Sequence, residues 1–171
     1  STNAIRNIRK AEKYGLDVTW GEEPDHLVHL FRSTFGEKEG KLGPPDYKRM
    51  NRLMVRLMAG SSGSVRFARD TAGIVHAGAF FAEDAGRWYF LFAASAPVAR
   101  ESGAMFYLID RFIAEWAGKA DLLDFEGGND PDLARFYAGF GASALPSPVL
   151  RFSRLPAAAE KGLYFMRQLK G

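Results

Sequence analysis

Asp124, Glu126, Asn129, Asp130 and Tyr137 crowd into the stretch LLDFEGGNDPDLARFYAGFGA, residues 122–142. A carboxylate can take a proton from an amine, directly or through a water, and a phenol can give one back. The order of residues suggests how they are held. A buried strand over 122–125 runs into a break at Gly127 and Gly128. Asn129 and Asp130 offer N-cap oxygens, Pro131 suits a first helical position, and a short helix ends at Gly139 or Gly141. The polar set therefore lies at a strand's carboxyl end and a helix's start, where open α/β sheets bind ligands. Quieter roles stay open: Asn129 or Asp130 as a plain cap, Tyr137 packed beside Phe136 and Phe140, Asp124 or Glu126 as surface groups.

Other titratable residues are less suggestive. His76 lies in a strand with Ile74 and Phe80 on its face and reads as a packed histidine or a base. His26 and His29 share a helix, but their spacing comes with no carboxylate motif, so no metal site is expected. The chain has no Cys, which excludes disulfides, thiolate catalysis and Cys-based zinc sites.

The whole chain has 171 residues and 23 Lys+Arg against 20 Asp+Glu, a net charge of +3. That size suits one domain with a proper core, and 47% apolar residues with fourteen Phe argue against disorder. The mild charge tolerates an anionic ligand without pointing to nucleic acid. No apolar run reaches the ~18 residues of a membrane span. No signal peptide is visible, and a cytoplasmic protein is expected.

Stepping along the chain, residues 3–14 put Ile5, Ile8 and Ala11 on one helical face, and Gly15 stops the helix. Its basic residues, Arg6, Arg9, Lys10 and Lys13, form a solvated stripe or an RNA contact. Residues 16–20 alternate as a strand; a helix starts at Pro24 and Asp25 and ends near Gly36. After a loop over 37–45, Asp46 caps a helix that runs to Gly60. Strands over 65–69, 73–83 and 87–94 follow, joined by hairpin loops at 70–73 and 84–86. A helix over 103–117 precedes the strand and helix described above; 149–155 alternates as a last strand, and 161–170 favours helix. The expected fold class is α+β, with a mixed, mostly antiparallel sheet flanked by helices. One domain over 1–171 comprises an opening helix (1–15), a core (16–155) and a C-terminal tail (156–171).

The spacing Asp130 … Phe136-Tyr137-x-x-Phe140-Gly141 resembles the Asn … Phe-Tyr-Glu-Lys-x-Gly-Phe signature of the GNAT superfamily of N-acyltransferases. The element order after the first helix is also the GNAT order. Asn3-x-x-Arg6-Asn7-Ile8-Arg9-Lys10-Ala11, Gly15-Leu16, and Asp124-Phe125-Glu126-Gly127 resemble the FemAB-like branch, which often carries two tandem GNAT-like units. The resemblance implies that this chain is the second unit, a fragment whose first unit lies upstream.

It further implies a GNAT acyl-CoA N-acyltransferase fold that moves an acetyl-like group from acetyl-CoA, or another acyl-CoA, to a small-molecule or peptide amine, without a metal. Tyr137 would be the general acid toward the departing thiolate, and Glu126 the base. The carrier's pyrophosphate would meet the helix start at Arg100, Ser102, Gly103 and Ala104. Arg100 and Gly103 match the family's Arg/Gln-x-x-Gly-x-Gly/Ala, while Met105 stands where the last small residue belongs. The same segment also reads as a Gly-containing loop before a core helix. Ala93, Ala94 and Ser95 would let the fourth strand's backbone approach the pantetheine arm, and Asn129 would bond its amide. Two rivals remain: a FemAB-like transferase that takes amino acids from aminoacyl-tRNA in cell-wall or exopolysaccharide synthesis, and a non-catalytic GNAT-like module that packs on a partner. A homodimer is compatible with either.

Overall fold

The computed structural model describes residues 1–20, 23–36, 42–127, 129–146 and 148. Helix α1 (Thr2–Lys13) starts where the Ser1 hydroxyl accepts the Ala4 N–H at 3.4 Å. Lys10 and Lys13 sit in its last turn, where cations suit the helix dipole. The polypeptide then forms the edge strand β1 (Asp17–Trp20) and helix α2 (Pro24–Phe31). Helix α2 widens into one π turn, Arg32–Gly36. The Ser33 and Thr34 hydroxyls both donate to the Leu30 carbonyl there, at 3.0 and 2.7 Å. Such back-bonding competes with the regular helical ladder.

Helix α3 (Pro44–Ala59) begins two residues before the expected cap. Asp46 is not the N-cap. Its carboxylate sits one turn in and accepts the Gly43 N–H at 2.9 Å. Pro44 can open the helix because a first-turn N–H has no intrahelical partner to lose.

Strands β2 (Gly63–Arg69), β3 (Val75–Asp84) and β4 (Arg87–Ser95) form the antiparallel meander. Ala85 and Gly86, both at positive φ (50° and 83°), make the two-residue turn between β3 and β4. A short helix α4 (Ala99–Ser102) then leads into α5 (Ala104–Trp116), followed by β5 (Leu122–Asp124) and α6 (Pro131–Ala138). Helix α4 is an addition to the expected loop. Strand β5 is shorter than expected and not buried: Leu122 is 39% exposed. The strand expected over 149–155, the helix over 161–170 and the tail boundary at 156 lie outside the described residues.

The sheet order is β1-β2-β3-β4-β5, antiparallel except for the parallel β4–β5 pair. Two apolar clusters cover its faces. On one, Phe81 stacks on Phe112 of α5 (ring centroids 3.6 Å apart, 4° between planes), and Ala11, Leu108 and Ile109 pack beside them. On the other, α2 and α3 bring Leu27, Val28, Tyr47 and Met54 onto Val65, Phe67 and Phe80. Burial of apolar area on both faces is the main stabilising term.

Two register shifts break the alternation. Ala68 pairs with Ala77 but Arg69 with Val75, so His76 is an extra residue in β3. Phe80 pairs with Phe92 but Phe81 with Phe90, so Leu91 is an extra residue in β4. Bulges re-aim side chains and leave one residue outside the ladder. Both bear on the site.

Candidate active-site cleft

Strand β5 stays with β4 only for Arg87↔Leu122, Trp88↔Leu123 and Tyr89↔Asp124. Strand β4 continues to Ser95, while the chain beyond β5 turns away. The turn has a local cause. The Asp124 carboxylate accepts the Glu126 N–H at 2.8 Å, and Glu126 takes a left-handed φ of 59°. An Asp that bonds the backbone two residues on makes an Asx turn. Asp124 is thus a turn-maker, and Glu126 lies beyond the strand.

The parting leaves a cleft of about 480 Å³. One wall is β4 from Phe90 to Ser95, with Ala93 and Ala94 between; the other is Phe125, Glu126, Gly127 and three α6 residues, Leu133, Phe136 and Tyr137. Met105 from the first turn of α5 and Phe35 from the π turn complete it. The lining is mostly apolar; Ser95, Glu126 and Tyr137 carry its polar side chains among the described residues. The bulged Leu91 sits in the β4 wall, 42% exposed. The bulge takes Leu91 out of the ladder pairing, beside the cleft.

Helix α6 aims Tyr137 into this space. Asp130 is its cap: one carboxylate oxygen accepts the N–H groups of Asp132 (2.8 Å) and Leu133 (3.2 Å). The Tyr137 ring stacks on Phe125 (4.6 Å, 18°) and meets Phe90 edge-on (6.2 Å, 76°). Burial pushes its phenol above the ordinary tyrosine value, which keeps the proton on at neutral pH. Glu126, in the same wall, is exposed.

Of the residues singled out beforehand, the cleft gathers Ala93, Ala94, Ser95, Glu126 and Tyr137. Arg100 and Asn129 are exposed and do not line it. Ser102, Gly103 and Ala104 are buried, and their surroundings give them other tasks. The Ser102 hydroxyl bonds the His76 ring at 2.9 Å. Gly103 (φ 73°) lies against α1, where a Cβ would stand 2.5 Å from the Asn7 carbonyl oxygen. The close approach that demands glycine is thus met by a helix of the same chain. Ala104 belongs to the α5 core contact. Met105 is the α5 residue that reaches the cleft, although its size set it outside the expected phosphate loop. His76, 1% exposed, is not in the cleft and is not placed to act as a base there. No group of His, Asp or Glu among the described residues could hold a metal.

Sequence reasoning missed Phe35, Leu91, Phe125, Leu133 and Phe136 as lining residues, because large apolar side chains read equally well as core. The one available signal was the missing strand alternation around Leu91.

A family model described as an acetyltransferase (GNAT) domain matches residues 2–136. Among solved structures, FemX superposes with a TM-score of 0.67 at 12% identity, over 81% of this chain and 53% of FemX. The chain therefore spans about half the length of FemX. The ribosomal-protein-alanine N-acetyltransferase from Brucella melitensis biovar Abortus 2308 gives a TM-score of 0.54 at 20% identity, over 81% and 99% of the two chains. AAC(6')-Iy, in complex with the bisubstrate analogue CoA-S-monomethyl-acetylneamine, gives 0.58 at 9%, over 82% and 99%. Identities this low speak for the fold alone. No curated protein matches the sequence significantly.

Proposed function

The chain belongs to the GNAT acetyltransferase family, and from that premise we propose that it moves an acyl group from a coenzyme A thioester to an amine. One observation carries the reading: β4 and β5 part after Tyr89 and Asp124, and the cleft that opens has Tyr137 on its wall. The thioester arm would lie along β4 beside the small residues Ala93, Ala94 and Ser95, with main-chain N–H groups near the bulge toward the developing oxyanion. The amine nitrogen attacks the thioester carbonyl carbon. A C–N bond forms and the C–S bond breaks. The thiolate takes the Tyr137 phenolic proton, and the amine's proton passes to Glu126, directly or through a water. An amine with a pKa of ~10.4 is mostly charged at neutral pH and needs such an acceptor. The apolar walls around Tyr137 support its role, since a dry site keeps a phenol protonated until the thiolate forms.

The acceptor class is a small-molecule or peptide amine, and action in the cytoplasm, where acyl-CoA is made and used, is part of the proposal. No helix among the described residues is long and apolar enough to cross a membrane. Calorimetric titration with acetyl-CoA, followed by thiol release with a panel of amines, tests the reading. Saturable heat and amine-dependent thiol release are expected. No heat with any acyl-CoA rejects it.

A second reading draws on the Ser102 hydroxyl, which bonds His76, and on Gly103, which abuts α1. A donor without a carrier's pyrophosphate, aminoacyl-tRNA, fits a half-length likeness to FemX. Salt-dependent tRNA binding, with no heat from acyl-CoA, would favour it.

A further inference from the structure

Asp70, His76 and Ser102 lie 6 and 26 residues apart in sequence yet form one continuous hydrogen-bonded set. The His76 Nε2 stands 3.2 Å from an Asp70 carboxylate oxygen, and its Nδ1 stands 2.9 Å from the Ser102 hydroxyl. A carboxylate only accepts, so Nε2 carries the proton, and in the neutral ring Nδ1 accepts the Ser102 O–H. The other Asp70 oxygen accepts the N–H groups of Ala72 and Ile74, each at 2.9 Å. These bonds, that of Ile74 foremost and that of His76 after it, hold the Asp70 carboxyl below its ordinary range.

The composition is that of a hydrolytic triad, but the chemistry is shut off. Ser102 is 0% exposed and His76 is 1% exposed. What the set grips is more informative. The His76 carbonyl accepts the Ala96 N–H at 2.9 Å, so one residue holds the chain just after β4 by its backbone and the end of α4 by its side chain. Between these two points runs the corner that joins Ser95 to α5, and both Ser95 and Met105 line the cleft. Tyr14 of α1 packs edge-on against the His76 ring at 5.6 Å. The β3 bulge makes this possible: regular alternation would send His76 to the opposite face from Ala77.

The geometry points to His76 as a positioning residue for the acyl donor, the centre of an Asp70–His76–Ser102 brace, buried at His76 and Ser102, that fixes the β4–α5 corner and with it one end of the cleft. The inference rests on the acyltransferase reading of that cleft. A polar set amid alanine and aromatic side chains adds little net stability, because each bond replaces one to water. It does select one geometry over others, which a uniformly apolar contact of equal volume does less well.

The test compares wild type, Ser102→Ala, and the double variant His76→Phe with Ser102→Ala, which removes both members of the buried bond and leaves one oxygen of the partly exposed Asp70 carboxylate to water. Acetyl-CoA is titrated calorimetrically, and thermal midpoints are recorded alongside. With an amine that the wild type accepts, KM for acetyl-CoA and kcat are separated. The double variant is expected to melt within about 3 °C of wild type. Its Kd and KM for acetyl-CoA should both rise about fivefold or more, the equivalent of one hydrogen bond, with kcat changed less than about twofold. Unchanged acetyl-CoA affinity in both variants overturns the positioning role. So does a double variant that melts far lower yet binds acetyl-CoA normally below its midpoint. A wild-type protein that binds no acyl-CoA defeats the acyltransferase reading itself, a separable result.

Discussion

Replacing Tyr137 by Phe separates catalysis from packing. The ring is held by Phe125 at 4.6 Å, Phe90 at 6.2 Å and Phe136 at 5.6 Å, and none of these contacts needs the hydroxyl. That hydroxyl makes no hydrogen bond to another described residue, so Tyr137→Phe breaks no internal bond. The expected stability change is under ~1 kcal/mol, a midpoint shift of no more than ~4 °C for a chain this size. The kinetic cost is of another order. A positioned general acid contributes ~10²–10⁴ in rate. Each tenfold is ~1.36 kcal/mol, so kcat should fall by at least ~100-fold, or ~2.7 kcal/mol of barrier. Thiol release from acetyl-CoA at saturating amine, with calorimetric melting of the same preparation, measures both quantities. A kcat within about twofold of wild type at an unchanged midpoint would refute the assignment of the proton to Tyr137. Burial raises the phenol's pKa, so folding favours its protonated form. That contribution is complete below the unfolded value of about 10 and is lost as pH climbs past the folded one. The acid therefore stays loaded throughout the neutral range.

Three other perturbations follow from the same geometry. Gly103→Ala forces an L side chain into φ 73° and a Cβ within 2.5 Å of the Asn7 carbonyl oxygen. Melting should drop by ~2–5 kcal/mol of stability, and an unchanged midpoint would remove the packing explanation for this glycine. Gly78→Ala places a Cβ 2.6 Å from the Phe67 ring and 2.9 Å from Leu27. Denaturant unfolding should register ~1–3 kcal/mol of overpacking. Asp70 is held low by the Ile74 N–H and His76, so its contribution is whole above the unfolded carboxyl value of about 3.9 and disappears as pH falls through the folded one. Asp70→Asn should flatten the loss of thermal midpoint between about pH 5 and pH 2, and a slope equal to wild type's would contradict this.

Much of the architecture could be read in advance because it is locally encoded. The β2–β3–β4 meander shows in alternation and in the Asp70–Gly73 and Asp84–Gly86 turns, and Asp130 with Pro131 announces the start of α6. Tyr137, Glu126 and the run Ala93, Ala94 and Ser95 do meet around one cleft. The glycine of the expected carrier loop has a packing role that its position in the chain does not reveal. Glycine before a helix signals a close approach but not by what, and here the approaching group is the backbone of α1 at Asn7. Asp124 looked like a base candidate, yet its carboxylate is used by the Glu126 N–H two residues away.

The linear order of residues determined most of the elements, the meander's hairpins, the Asp130 cap and the family to which the chain belongs, because turn chemistry and apolar periodicity act over a few positions. Only the tertiary structure decided where β5 leaves β4, that two bulges re-aim His76 and Leu91, and that the Ser102 hydroxyl meets His76. Bulges and braces of this kind depend on register between strands and on contacts between residues far apart in the chain. Each is chosen by the packing of whole faces against one another, a quantity no local window contains.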